Sequence, residues 1–227
     1  MPFEDLPDRL AEVRQRIDQA AGRGGHGQTV RIIAVTKTHG PDAVEAARDA
    51  GLQDVGENRV QEALGKMAAV RSSVRWHLIG HLQRNKVNSA DGFDLIHSID
   101  SLRLAETVNA HARAGGQPQA ALVQINVVGE ESKGGFSRGE LLEAGDRLRG
   151  LDGIEIRGVM TMAPLDATDE VLREVFSGAR ETLSILQGSG FTHARELSMG
   201  MSGDYELAVE EGATMIRLGT VLFGERT

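Results

Sequence analysis

The sequence predicts an α/β fold, a single (β/α)8 barrel of the TIM type with an extra helix at the amino terminus. Eight strand-like segments alternate with helix-like segments, which is typical of parallel βαβ units. The first strand-like segment, residues 30–37, is apolar on both faces, as in a parallel sheet covered by helices. The length of 227 residues suits one such barrel. An open, doubly wound sheet is the alternative, and the count of eight strands favours the closed barrel.

The amino-terminal helix is predicted over residues 4–22. Its apolar positions recur every three or four residues and form one helical face: Leu6, Leu10, Val13 and Ile17. Asp5 is expected to cap this helix, and Pro7 is tolerated in its first turn. Residues 22–28, GRGGHGQ, precede a strand rather than follow one, so they predict a flexible connection and not a dinucleotide-binding loop.

Short apolar runs bounded by glycine, proline or polar residues mark the strands. The predicted strands span residues 30–37, 54–58, 75–80, 95–100, 120–128, 156–162, 195–202 and 214–224. The helical segments between them span residues 41–51, 59–71, 82–89 (a short turn or helix), 101–114, 137–149, Pro164 to Gln187, and 203–212. No helix is predicted after strand eight, so the amino-terminal helix is expected to cover the groove that a closing helix would occupy. Residues 1–227 thus form one domain, a helix and loop (1–28) followed by the barrel (29–227).

Composition excludes several classes of protein. A net charge of −8 without a basic block argues against nucleic-acid binding. The absence of cysteine excludes disulfides and thiolate metal sites and favours a reducing compartment. No apolar run approaches the ~18 residues that a membrane helix needs, and the acidic amino terminus does not resemble a secretory signal. We therefore expect a cytoplasmic protein without a membrane or nucleic-acid partner.

A lysine closes the first predicted strand. Ile33, Val35 and Lys37 share one face of that strand because side chains alternate, and active sites of such barrels lie at the carboxyl ends of the strands. Burial lowers the pKa of a lysine, which suits a lysine that forms an imine. The alternative is that Lys37 extends its amine into solvent, as most lysines do.

The ends of strands seven and eight together predict an anion site. Ser202 directly precedes a predicted helix, while Gly219 permits close approach of the backbone and Thr220 offers a hydroxyl. Arg217 lies on the same face as Gly219, where it would reach a ring whose phosphate sits at residues 219–220. With an aldehyde meeting Lys37, this pattern describes pyridoxal 5′-phosphate.

Each of these residues also has a plainer interpretation. Ser202 would simply cap a helix, Gly219 would relieve a crowded barrel end, and Arg217 would form a salt bridge across the barrel mouth. The strand ends carry no cluster of carboxylates or histidines suited to a metal, so no metal is expected.

Several long motifs follow one another in order along the chain. They are AVTKTH around Lys37, GENRVQEA at 56–63, WHLIGHLQRNK at 76–86, HSIDS at 97–101, QINVVGEESKGGF at 124–136, RGVMTMAP at 157–164 and LSMGMSGDYELAVEEGATMIRLGTVLFG at 197–224. In these motifs the chain resembles the pyridoxal phosphate homeostasis protein family, whose fold is the barrel domain of alanine racemase. The resemblance covers nearly the whole chain.

The resemblance implies a set of cofactor-binding residues. They are Lys37 (the imine lysine), Asn58 and His77 (lining the ring), Met160 (packing nearby), Arg217 (facing the pyridine nitrogen), and Ser198, Gly200, Ser202, Gly219 and Thr220 (the phosphate segments). It also implies a carrier that sequesters, buffers or delivers pyridoxal phosphate in vitamin B6 homeostasis, with apo forms of pyridoxal phosphate enzymes as partners. We expect a monomer. Lys133, in the glycine-rich loop, is a second lysine placed to receive or hand on the cofactor.

An amino-acid racemase of the alanine racemase type is the second functional hypothesis. Racemisation needs an acid or base on each face of the reacting carbon, and racemases of this fold take a tyrosine from an additional domain. We expect no such domain here, and the sequence has a single tyrosine, Tyr205. An arginine at the pyridine nitrogen leaves that nitrogen unprotonated, which disfavours transamination. A lysine-imine aldolase would leave Arg217 and the anion site unexplained. The carrier is the favoured prediction.

Overall fold

A computed structural model describes residues 3–129 and 134–224 of the chain. Its strands are β1 (Arg31–Val35), β2 (Asp54–Glu57), β3 (Arg75–Leu78), β4 (Leu95–Ile99), β5 (Gln119–Gln124), β6 (Ile154–Met160), β7 (Glu196–Ser198) and β8 (Met215–Leu218). Each strand pairs in parallel with the next, and β8 pairs with β1, which closes the sheet. The predicted (β/α)8 barrel is confirmed, and the open sheet is excluded.

Helices connect these strands. They are α1 (Leu6–Gly24), α2 (Pro41–Asp49), α3 (Val60–Ala69), α4 (Leu102–Gly115), α5 (Arg138–Arg149), α6 (Asp169–Gly188), α7 (Tyr205–Glu210) and α8 (Thr220–Phe223), with a 3₁₀ helix at Arg84–Ser89. The predicted strands overrun the observed ones at their carboxyl ends, most of all at β5, β7 and β8. The reason is that apolar residues continue past the last ladder hydrogen bond into the loops.

The amino-terminal helix α1 buries the face that the spacing predicts. The buried positions are Leu6, Leu10, Val13, Ile17 and Ala20. Asp5 does not cap the helix as expected, because its own backbone is already helical (φ −79°, ψ −3°) and its side chain makes no capping hydrogen bond. It pairs instead with Arg9 at 3.6 Å. The helix ends at Gly24, followed by Gly25 in the left-handed conformation (φ 69°).

The prediction that no helix follows strand eight was wrong. Strand β8 stops at Leu218, and the next residues turn into the short helix α8, whose Phe223 N–H donates to the Gly219 carbonyl. The sequence TVLF suits a buried strand as well as a buried helical turn, so its pattern alone could not decide. Helix α1 packs against both α7 and α8, and the rings of Phe3 and Phe223 meet edge to face at 5.3 Å. The expected cover over this side of the barrel is therefore present.

The barrel holds two apolar regions, one inside the sheet and one between the sheet and the helices. The inner region consists of Ile33, Leu95, Leu122, Met160 and Met215. The outer region is much larger and takes the opposite faces of the same strands, including Ile32 and Ala34 of β1. None of the described helices is long and apolar enough to cross a membrane.

Candidate functional site

A cavity of about 640 Å³ opens at the carboxyl ends of the strands. Six of the ten residues that the sequence suggests for the site line this cavity: Lys37, Asn58, Ser202, Arg217, Gly219 and Thr220. They lie near or just beyond the carboxyl ends of β7, β8, β1 and β2, which are four consecutive strands of the closed sheet. The strand-end rule for barrels therefore locates the cavity correctly.

Lys37 lies two residues beyond the end of β1, in a turn, and is half-buried. The backbone of this turn is unusual because Thr38 has a φ of 69°. A positive φ is a genuine outlier for a β-branched residue. The Thr36 N–H donates to the Gly56 carbonyl at 3.1 Å, and the His39 N–H donates to the Thr36 carbonyl at 3.1 Å. The turn thus directs the Lys37 side chain towards the cavity.

Arg217 is buried at the base of the cavity, with 4% of its surface exposed. Its Nη1 donates to Ser198 Oγ at 2.7 Å and its Nη2 donates to the Thr161 carbonyl at 2.9 Å. Burial lowers the pKa of the guanidinium to about 10, and the nearby carboxylate of Asp204 opposes that shift. Arg217 is therefore a cation at neutral pH whose hydrogen bonds within the described residues go to neutral acceptors. The alternative of a salt bridge across the barrel mouth does not describe these contacts.

The loops after β7 and β8 meet at one side of the cavity. Ser202 and Gly203 come from the first loop, and Gly219 and Thr220 from the second. The Val221 N–H donates to Ser202 Oγ at 3.4 Å and joins the two loops. Helix α7 begins at Tyr205 rather than at residue 203, so Ser202 is not its cap. Hydroxyls and backbone N–H groups of both loops are therefore available to an anion in the cavity.

Four of the suggested residues do not line the cavity. Met160 belongs to the apolar cluster inside the barrel, and Ser198 is buried beneath Arg217. Gly200 has a φ of 90°, and a Cβ there would lie 2.6 Å from the Cβ of Ala208, so it is a packing glycine. His77 is buried within the barrel, and both of its ring nitrogens have protein partners. Lys133 lies outside the described residues.

Sequence reasoning missed Ile79, and at the end of predicted strand six it selected Met160 rather than Met162. Ile79 lies two positions after His77, and Met162 two positions after Met160, on the same strand faces; both later residues line the cavity. The alternation of side chains predicts the correct strand face, but the suggested residues lie one layer deeper in the barrel than the cavity wall. Gln124, at the end of β5, also lines the cavity and donates to the Gly134 carbonyl at 2.7 Å.

A chain of polar side chains runs from Arg217 through the inside of the barrel. Ser198 Oγ lies 2.9 Å from His97 Nδ1, His97 Nε2 lies 2.9 Å from His77 Nδ1, and His77 Nε2 lies 2.9 Å from Asp54 Oδ1. We call these four residues, Ser198, His97, His77 and Asp54, the interior chain. It connects the cavity to the amino-terminal mouth of the barrel.

Donor and acceptor chemistry fixes the bonds at the two ends of the interior chain. Arginine only donates and a carboxylate only accepts, so Ser198 Oγ accepts from Arg217 Nη1 and Asp54 Oδ1 accepts from His77 Nε2–H. Burial lowers the pKa of His97 well below its ordinary value, so this ring is neutral and carries one proton. The ring bonds Ser198 Oγ through Nδ1 and His77 Nδ1 through Nε2, donating at one nitrogen and accepting at the other. Each member of the chain is thereby satisfied.

Asp54 ends the interior chain as a charged group. Burial by itself raises the pKa of this carboxyl, but hydrogen bonds from His77 and Arg75 outweigh burial and hold the pKa well below its usual range. Arg75 binds Asp54 through two nitrogens, at 2.8 and 2.6 Å. The interior chain therefore has a cation beyond one end, an anion at the other, and the neutral ring of His97 between them. Within the described residues, no three histidines and carboxylates gather as a metal site.

Comparisons with known proteins agree with this architecture. The alanine racemase N-terminal domain family matches residues 9–227. A pyridoxal phosphate homeostasis protein of Aquifex aeolicus is 40% identical, over 96% of this chain and 97% of its own. The protein of that name from Pseudomonas aeruginosa is 39% identical, over 97% and 96% respectively. A solved structure of PipY from Synechococcus elongatus with pyridoxal phosphate bound has a TM-score of 0.86 and 38% identity, and covers 96% of this chain and 100% of its own.

Proposed function

The chain belongs to the alanine racemase N-terminal domain family, as a relative of its pyridoxal phosphate homeostasis proteins, and from that premise we propose that it is a pyridoxal 5′-phosphate carrier. The cofactor occupies the cavity at the carboxyl ends of the strands and is held as an imine on Lys37. The protein sequesters, buffers or delivers the cofactor within vitamin B6 homeostasis. Residues 1–227 act as one binding domain.

The donor groups around the cavity fit this cofactor. Pyridoxal 5′-phosphate supplies an aldehyde that condenses with an amine, and Lys37 contributes an amine at the cavity wall. Ser202, Thr220 and the backbone at Gly219 offer hydroxyl and N–H donors to a phosphate. The observation that carries the proposal is that Lys37 and Arg217 line the same cavity, together with the loops that follow β7 and β8.

Arg217 determines what chemistry the bound cofactor supports. A guanidinium has donors only, so a ring nitrogen facing it has to accept and stays unprotonated. The ring is then a weak electron sink, which suits storage of a reactive aldehyde better than transamination. The buried hydrogen bonds to Ser198 and Thr161 keep the guanidinium in place for this role.

We propose that the protein is a carrier and has at most weak racemase-like activity. The one tyrosine of the sequence, Tyr205, is buried in α7 and is not among the residues that line the cavity. Among the described residues that line the cavity, His39 and His81 at the rim are the candidates for a second acid on the far face of the ligand. Delivery of the cofactor to apo forms of pyridoxal phosphate enzymes, by a monomer in the cytoplasm, is part of the same proposal.

The position of the covalent link provides the first test. Protein loaded with pyridoxal 5′-phosphate is reduced with borohydride, digested and mapped. We expect the pyridoxyl group on Lys37, with loss of the label in Lys37→Ala and retention in the matched variant Lys133→Ala. A label found mainly on Lys133 would contradict the assignment.

Two ligands that differ only in the phosphate test the anion site. Replacement of both Ser202 and Thr220 by alanine is expected to weaken binding of pyridoxal 5′-phosphate and leave binding of unphosphorylated pyridoxal nearly unchanged. Equal losses for both ligands would argue against phosphate recognition by these loops.

Turnover separates the carrier from the racemase. We expect no sustained racemisation or solvent-deuterium incorporation with the common amino acids. Turnover of a few per second for any of them, absent in Lys37→Ala, would establish the racemase instead.

A further inference from the structure

A buried cluster of charged side chains lies behind Lys37, between β2 and α3. Glu57 ends β2 and is fully buried, and Lys66 of α3 is 4% exposed. Lys66 Nζ lies 2.7 Å from Glu57 Oε1 and 2.9 Å from Glu62 Oε1. Burial raises the pKa of Glu57, while hydrogen bonds from Lys66 and Thr36 oppose that rise. We call Glu57, Glu62 and Lys66 the charge cluster.

The charge cluster holds both chain neighbours of Lys37. Lys66 Nζ donates to the Thr36 carbonyl at 2.7 Å, and the Thr36 hydroxyl donates to Glu57 Oε1. On the other side, the Thr38 N–H donates to Glu62 Oε1. The backbone is therefore fixed immediately before and immediately after Lys37, whose own side chain lines the cavity.

The conformation that the cluster holds is one that the chain would not choose by itself. Thr38 has a φ of 69°, and backbone strain of this kind persists only where the surroundings impose it. Burial of charged side chains also has a high free-energy cost, and well-packed apolar residues often stabilise a fold as well or better. Strain at Thr38 and costly burial at Lys66 both suggest that the geometry of the turn matters more than stability.

We propose that Lys66, Glu57 and Glu62 are positioning residues for Lys37, holding the 36–38 turn so that the lysine amine meets a carbonyl group bound in the cavity. The inference rests on the proposed function, because it concerns how the cofactor is linked to Lys37. It predicts that the cluster governs covalent attachment and hardly affects how the rest of the ligand fits. Neither Arg217 nor the loops after β7 and β8 contact the cluster in the described contacts.

Two ligands distinguish positioning from general structural damage. Pyridoxal 5′-phosphate forms the covalent link, whereas pyridoxine 5′-phosphate carries an alcohol in place of the aldehyde and only fits the cavity. The main variant is Glu62→Ala, because the Glu62 side chain is 26% exposed and Lys66 keeps Glu57 as its buried partner. The double variant Glu57→Gln/Lys66→Met removes the buried pair together, so that no buried charge is left unpaired. Glu106→Ala, a surface carboxylate paired with Arg147, is the matched control.

In Glu62→Ala and in the double variant, we expect the rate of link formation, followed by visible absorption, to fall at least tenfold. The dissociation constant for pyridoxine 5′-phosphate is expected to stay within twofold, and Glu106→Ala is expected to match the wild type in both measurements. Unchanged link formation, or an equal loss for both ligands, would overturn the positioning role. Absence of any link to Lys37 in the wild type would instead overturn the proposed function.

Discussion

Two buried polar networks approach the cavity from opposite faces of the same sheet, and they are built differently. The interior chain lies inside the barrel and supports Arg217 through a hydroxyl and two imidazole rings. The charge cluster lies outside β2 and supports the Lys37 turn through ions. The interior chain holds the Arg217 guanidinium through hydrogen bonds, whereas the charge cluster holds the strained turn at Thr38 through charged side chains.

The difference follows from where each network lies. Inside the barrel the side chains are surrounded by sheet, so a charge there is expensive unless every hydrogen bond is made. A hydroxyl and the neutral ring of His97 avoid that cost as long as each donor meets an acceptor. Between β2 and α3, the partly exposed Glu62 gives the ions a route to solvent. In both networks a buried charge pairs with a partly exposed ion, Arg75 for Asp54 and Glu62 for Lys66, and the comparison teaches that charge is kept where such a partner reaches solvent.

The largest effect is expected where a buried ion loses its buried partner. Glu57→Ala removes the carboxylate 2.7 Å from Lys66 and leaves the partly exposed Glu62 as its remaining partner, and breaking a buried ion pair costs about 3 kcal/mol. Urea unfolding should show this loss in the free energy of unfolding. The double variant Glu57→Ala/Lys66→Met should regain most of it, because both charges are then absent. Equal losses in the single and double variants would show that shape, and not charge, dominates the cluster.

An intermediate effect is expected at the centre of the interior chain. Ser198→Ala removes the acceptor of Arg217 and the partner of His97 Nδ1, and unsatisfied buried groups cost about 2 kcal/mol. The matched control is Ser184→Ala, an exposed serine whose hydroxyl bonds only to its own helix. The control should change the free energy of unfolding by less than about 0.5 kcal/mol. Similar values for the two variants would mean that the chain contributes no net stability.

The smallest effect is a pH dependence that belongs to the interior chain alone. The pKa of His97 is lowered in the folded state, so below the ordinary pKa the unfolded chain binds a proton that the folded chain refuses. Stability is then complete above about pH 6.5 and falls as the pH decreases, by about 1 kcal/mol between pH 7 and 5.5. The free energy of unfolding should fall by this amount between pH 7 and 5.5 in the wild type and not in His97→Asn. Equal falls in the two proteins would show that His97 already carries a proton in the folded state.

The sequence was sufficient for the fold because eight repeats of one pattern leave few arrangements open. It also located Lys37 and Arg217 near the carboxyl ends of strands whose direction is known, and both line the cavity. His77 and Met160 share the strand faces of Ile79 and Met162 but lie one layer below them and do not line the cavity. The depth of a residue in the barrel depends on the register between neighbouring strands, and the sequence of a single strand does not determine that register.

The polar networks could not be predicted for a related reason. Asp54, His97 and Ser198 belong to three different strands, and only the closed barrel brings them into line. From the sequence alone Lys66 is expected to face solvent on its helix, and nothing in its spacing indicates that it reaches the Thr36 carbonyl. Contacts of this kind are properties of the assembled sheet.

The packing of α1 has a consequence for how the molecule is made. Arg9 near the start of the chain donates to the Leu222 carbonyl near its end, and a Cβ at Gly24 would lie 2.3 Å from the Glu210 carbonyl oxygen. Helix α1 therefore docks mainly on α7 and α8, which are synthesised long after it. Contacts between such distant residues form late because loop closure has to precede them. The two loops expected to hold the phosphate belong to this region, so a nascent chain gains its ligand site only after β7 and β8 are synthesised.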